Sequence, residues 1–99
     1  MNLKVYYIDI DETICITPKN RDYSLSEPIL DNIKKINKLY DDGNTIVYWT
    51  SRGSRKQIDW YDLTYQQLNR WGAKFNELRV DKPYYDLFID DKTLRIEEI

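Results

Sequence analysis

The chain has 99 residues, with 17 Asp and Glu against 15 Lys and Arg, a net charge of −2 and no histidine. That length suits one domain with one core and leaves little for a second layer or a lid. The even charge offers no basic face for nucleic acid, and the missing imidazoles remove His-based acid–base chemistry and His metal sites.

Cys15 is the single cysteine, so no intrachain disulfide forms, which fits a reducing, cytoplasmic compartment. With no His to activate it, Cys15 reads as a small buried hydrophobe. The first residues do not resemble a signal peptide, and no apolar run approaches a membrane span. The tyrosines read as a shell around the core.

Residues 3–10 are almost continuously apolar, β-branched and aromatic, which predicts a strand buried on both faces. The run ends in Asp9-Ile10-Asp11-Glu12-Thr13. Two carboxylates one residue apart on an extended chain point to one side, and such a pair ionises comfortably only beside a cation. Residues 19–26 are polar and read as a loop over the top of the sheet. Ser26, Glu27 and Pro28 read as a helix start, followed by a stripe of Ile29, Ile33, Ile36 and Tyr40 and a stop at Gly43.

Residues 45–49 predict a second buried strand, running into the small-residue loop Thr50-Ser51-Arg52-Gly53. A helix is expected from about Lys56 to Trp71, with Ile58, Tyr61, Tyr65, Leu68 and Trp71 on one face and Gly72 closing it. Residues 75–80 offer a short third strand. Lys82-Pro83 leads to residues 85–89, read as the last strand, which ends in Asp90-Asp91. The tail, residues 93–99, reads as a short helix or an edge segment.

Strands alternating with helices predict a parallel sheet with right-handed crossovers, and ligands bind beyond the carboxyl ends of its strands. Asp9 and Asp11, then Thr50, Ser51 and Arg52, then Asp90 and Asp91 should therefore meet at one crevice. Singly, each group is weak. A D-x-D pair is often solvated, Thr50-Ser51 suits a turn, Lys82 suits solvent and Asp90-Asp91 suits a loop. Their order, each group at the polar end of a strand, carries the weight.

In that order, Asp9-x-Asp11-x-Thr13, Thr50, Lys82 and Asp90-Asp91 resemble the four motifs of the haloacid dehalogenase-like phosphohydrolases, over nearly the whole chain. The phrases Trp49-Thr50-Ser51-Arg52-Gly53 and Lys82-Pro83-Tyr84-Tyr85-Asp86 resemble a small capless branch often labelled capsule or polysaccharide biosynthesis phosphatase. The resemblance implies a three-layer Rossmann-like α/β core, one domain over residues 1–99 with a parallel sheet of four or five strands and no cap.

It further implies Mg²⁺ on Asp9, Asp90 and the main-chain carbonyl of Asp11, with Asp9 as nucleophile and Asp11 as general acid and then base. Asp11 should have a raised pKa for that role. Thr50 and the Ser51 N–H should bind phosphoryl oxygens, while Lys82 neutralises charge. Arg52 either contacts the phosphate or caps the following helix. Asp91 should hold Lys82 or a metal-bound water, and Thr13 should bond loop backbone. Many members carry Gly where this chain has Glu12.

The expected partner is a small phosphorylated substrate, a sugar or polyol phosphate, with no nucleic acid and no membrane. A second copy of the chain could wall the open site through the aromatic helix face. The rivals are a nucleotide or polynucleotide-end phosphatase, a receiver-like phosphoacceptor domain, and a binding scaffold that has lost activity.

Overall fold

The computed structural model describes residues 2–53 and 59–99, so Lys56 and Ile58 of the expected second helix lie outside the described residues. Among the described residues, a parallel sheet of three strands runs in the order β1 (Val5–Ile8), β4 (Thr45–Trp49), β5 (Glu77–Arg79). Two short strands, β2 (Cys15–Ile16) and β3 (Glu27–Pro28), form a separate antiparallel pair. Helix α1 (Leu30–Asp41) links the pair to β4, and α2 (Tyr61–Arg70) precedes β5. The α/β character and the parallel sheet are as the sequence predicts.

β4 lies in the middle because it is apolar along its length; Ile46, Val47 and Tyr48 are all buried. Register pairs Tyr6 with Ile46, Ile8 with Tyr48 and Tyr48 with Leu78. Those side chains share one face and join Ile33 and Ile36 of α1 and Leu68 of α2 in a single core cluster. Both helices therefore cover the same face. This follows from handedness: the strands step in one direction, β1 to β4 to β5, and two right-handed crossovers in one direction land on one side. The described helices thus form one layer over the sheet, not the two flanking layers expected.

Four or five strands were also expected, and residues 85–89 are not a strand. Leu87 and Ile89 are 83% and 93% exposed. Lys82 is held at the carboxyl end of the sheet, its N–H donating to the Thr50 carbonyl at 3.2 Å. A parallel strand beside β1 must start at the opposite end, and such a return takes about a dozen residues or more. Only Asp81, Lys82, Pro83 and Tyr84 separate Val80 from Tyr85. Among the described residues the outer edge of β1 consequently stays unpaired, and the chain reaches a 3₁₀ turn at Ile96–Glu98.

The start of α1 and the buried face of α2 also differ from expectation. Glu27 and Pro28 pair with Ile16 and Cys15 instead of opening α1, which begins after Ile29. The buried side of α2 is Thr64, Gln67 and Leu68, while Tyr61 and Tyr65 are exposed and stacked at 6.0 Å. Gly43 does end α1, with φ +100°; the Asn44 side chain donates to the Leu39 carbonyl at 2.9 Å and accepts the Lys4 N–H at 2.9 Å. Gly72 ends α2 in the same left-handed region, φ +77°.

Candidate active site

Asp9 follows β1 directly. A cleft of about 950 Å³ runs along the free edge of β1 and is lined by Asp9, Glu12, Thr13, Trp49, Lys82, Tyr85, Phe88 and Asp90, among others. A smaller, more open hollow of about 380 Å³ lies among Tyr40, Tyr61, Tyr65 and Phe75 near the amino end of β5. Only the first gathers the predicted ionisable groups, so it is the candidate site.

Lys82 Nζ stands 3.6 Å from Asp9 Oδ1. The ammonium sits over two ring faces, Trp49 at 5.6 Å and Tyr85 at 5.2 Å, which hold the flexible side chain near the carboxylate. Trp49 is oriented in turn, because its Nε1 donates to Asp81 Oδ1 at 2.9 Å and Arg79 pairs with the same carboxylate at 2.7 Å. Thr13 Oγ1 donates to Asp9 Oδ2 at 3.3 Å, so Thr13 orients the Asp9 side chain rather than only loop backbone. Desolvation raises the Asp9 carboxyl above its ordinary range and outweighs Lys82, with the Asp11 charge adding to it. The side chain is still 43% exposed, so this is the penalty of a crowded cleft floor, not of full enclosure.

Asp11 lies in a different environment. It does not line the cleft, and its side chain is 16% exposed. Arg52 donates from Nη2 to Oδ1 at 2.8 Å and from Nε to Oδ2 at 3.1 Å. Thr17 and Cys15 also donate to Oδ1. Burial works to raise this carboxyl, but the hydrogen bonds and charge of Arg52, helped by Thr17, lower it below the usual range. The raised value expected for Asp11 is therefore reversed, because a guanidinium faces it where only negative neighbours were foreseen.

Arg52 is withdrawn from any phosphate in this arrangement. Its side chain is fully buried, with Nη1 donating to Thr64 Oγ1 at 3.0 Å and Gln67 Oε1 at 2.7 Å, and the Tyr23 ring 4.7 Å from the guanidinium carbon. Thr50 is buried as well, and its hydroxyl oxygen accepts the Arg52 N–H at 3.1 Å. Ser51 is half-buried. Cys15 is fully buried, and burial together with the Asp11 charge pushes its thiol up to about 11, away from nucleophilic use.

Asp90 opens onto the Asp9 cleft but is exposed, and its Oδ1 accepts the Lys92 N–H at 3.2 Å. Asp91 is exposed beside it. Glu12 adopts φ +63°, a conformation in which glycine is at ease and other residues are strained. Its carboxylate offsets this by accepting the Thr17 N–H at 3.0 Å and pairing with Arg21 at 2.6 Å. Glu12 thus bends back over its own loop.

Sequence reading missed Thr17, Ser26, Thr64 and Gln67, the polar groups around Arg52 and Asp11. One signal was present: Thr64 and Gln67 stand three residues apart on α2, beside the apolar Leu68, where polar side chains need a buried partner.

Among the described residues, no three His, Cys, Asp or Glu side chains gather closely enough to hold an ion. Asp9 and Asp90 nevertheless share the cleft, and hard carboxylate oxygens in small number, completed by water and substrate, are the donors Mg²⁺ prefers. The donors fit Mg²⁺ in kind.

No family model matches the chain, and no curated protein matches it. Among solved structures it is similar to a structural-genomics target from Vibrio cholerae, at 25% identity with a TM-score of 0.86, over 97% of this chain and 86% of that one. This likeness supports the fold. Among the described residues no helix is long and apolar enough to cross a membrane.

Proposed function

We propose that the chain is a phosphomonoesterase of the haloacid dehalogenase-like type, capless, working through an aspartyl-phosphate on Asp9. The observation that carries this reading is the meeting of Asp9, Lys82 and Asp90 at one cleft, from segments far apart in sequence.

In the first half-reaction an Asp9 oxygen attacks phosphorus, and the bond from phosphorus to the leaving alkoxide breaks. The alkoxide takes up a proton from solvent water. In the second, water attacks the same phosphorus, its proton passes to Asp11 or solvent, and the Asp9–phosphorus bond breaks, releasing inorganic phosphate. Lys82 would offset the charge gathered on Asp9 and the phosphoryl group. Asp11, as it lies, is ionised and suits the water-accepting half better than proton donation. Asp9, Asp90 and the Asp11 carbonyl would hold Mg²⁺, which would supply the positive charge that the Asp9 carboxylate lacks with Lys82 alone.

A small sugar or polyol phosphate in surface-polysaccharide synthesis is the substrate class that the motif resemblance favours. A receiver-like role is less well supported: receivers take phosphate on an Asp ending a middle strand, and β4, the middle strand here, is followed by Thr50. Phosphate release across a panel of sugar phosphates, polyol phosphates and nucleotides, with Mg²⁺ and with chelator, tests the proposal. Turnover that needs Mg²⁺ and is absent in Asp9→Asn supports it. Release from no ester would defeat it, and a preference for nucleotides would replace the substrate class.

A further inference from the structure

We propose that Arg52 is a positioning residue of this site: its buried guanidinium clamps the Asp11 carboxylate in one orientation and anchors it to α2. The inference rests on the phosphatase reading of Asp9 and Asp11. Arg52 is fully buried and does not line the Asp9 cleft, so it acts through Asp11.

The geometry is that of a fork held at both ends. Nε and Nη2 both approach Asp11 Oδ1, at 3.3 and 2.8 Å, and Nε also meets Oδ2 at 3.1 Å. The far nitrogen, Nη1, is fixed by Thr64 and Gln67 on α2. The terminal torsion of an aspartate is loose and nearly two-fold, so an unheld carboxylate exchanges its oxygens freely. Here Oδ1 is saturated by Arg52 and Thr17, with Cys15 as a third donor. Among the described residues Oδ2 takes only the Nε hydrogen bond, which leaves it acceptor capacity. Arg52 thereby selects which oxygen can accept a proton from water. A lysine, a single point charge on a flexible stem, could keep the charge but not the selection.

The competing view is that Arg52 only stitches the 17–26 loop to α2. The two views separate on an aryl phosphate such as p-nitrophenyl phosphate, whose good leaving group needs no proton donor. Formation of the aspartyl-phosphate should then be spared, while its hydrolysis should need an oriented Asp11. The experiment measures kcat and KM with Mg²⁺ for wild type, Arg52→Lys and Thr64→Val, the Tm of each, and the fraction carrying acid-stable phosphate after rapid quench.

Arg52→Lys is expected to lower kcat about 10- to 100-fold, with KM falling in proportion so that kcat/KM holds within about twofold, and with a larger phosphorylated fraction. Thr64→Val leaves the Asp11 contacts in place and loosens one anchor, so a smaller fall of the same kind is expected. It remains informative if Arg52→Lys does not fold. Variants that keep kcat within about twofold, or whose kcat falls only with the folded fraction, overturn the positioning role. A rise in KM at constant kcat overturns it too, by placing Arg52 in substrate binding. A wild type that releases no phosphate defeats the phosphatase reading itself, a separate result read in the same assay.

Discussion

Asp9 and Asp11 are separated by one residue, and the fold treats them oppositely. Asp9 faces an open cleft with one lysine at 3.6 Å and is penalised for its charge. Asp11 faces the interior, against an arginine and a ring of hydroxyls, and is favoured in its charge. Both follow the same strand, so the difference comes from what surrounds the turn: the carboxyl-end loops on one side, the 17–26 loop and α2 on the other. Two identical groups driven apart in pKa by their surroundings are a common mark of divided chemical roles.

Replacing the cleft-side group gives the largest effect on activity. Asp9→Asn should lower phosphate release by about a thousandfold or more. It should not lower Tm at neutral pH, because it removes a charge that the fold disfavours. A variant that stays active would move the nucleophile elsewhere. On the interior side the largest effect is on stability. Arg52→Ala leaves the Asp11 carboxylate partly buried without its partner and should cost about 3–5 kcal/mol, read by urea unfolding. A loss under about 1 kcal/mol would place the pair in the class of solvent-screened surface bridges, and the contrast would fade.

The cleft side was far more legible in the sequence than the interior side. Asp9 ends an apolar run that does form a strand, while Lys82 and Asp90 were legible through the motif order, since the strand expected between them is not formed. Arg52 was legible only as an arginine in a loop. Its burial depends on Thr64 and Gln67, twelve and fifteen residues on, and on Tyr23 and Ser26 from another loop, contacts that no local pattern encodes. The strands at residues 45–49 and 77–79 were visible as apolar periodicity. Residues 85–89 have the composition of a strand but not the connection to reach β1's free edge, since composition reports burial preference and not chain reach. The turn at Glu12 shows the converse: the positive φ explains why glycine suits that position, and the cost of Glu12 is met by Thr17 and Arg21.

Acid titration separates the two carboxylates by sign. The folded-state pKa of Asp11 is depressed, so its contribution is present above the ordinary aspartate value near 4 and is lost as pH falls through the lower folded value. Asp11→Asn should therefore be less stable than wild type at neutral pH, with the gap closing on acidification. The folded-state pKa of Asp9 is raised, so protonation relieves a penalty. Asp9→Asn should be at least as stable as wild type at neutral pH, and any advantage should vanish in acid. Stability curves from pH 7 to 3 for the three proteins check both signs; gaps that move in the same direction would remove the contrast.

The smallest effect lies in the core beneath the site, at Tyr48. Its side chain is fully buried on β4, edge-on to Phe75 at 5.9 Å, and its hydroxyl is the one buried side-chain polar atom without a hydrogen-bond partner among the described residues. The Arg52 cluster satisfies its buried polar groups, and Tyr48 does not. A buried hydroxyl left unpaired costs about 1–3 kcal/mol, and phenylalanine keeps the ring without it. Tyr48→Phe should consequently raise stability by about 1 kcal/mol, a shift of several degrees in Tm for a chain of this size. Thr64→Val, an equally small change, removes a hydrogen bond to Arg52 and should lower stability by a similar amount. If both substitutions moved stability in the same direction, pairing of the polar groups would not be what distinguishes the two parts of the core.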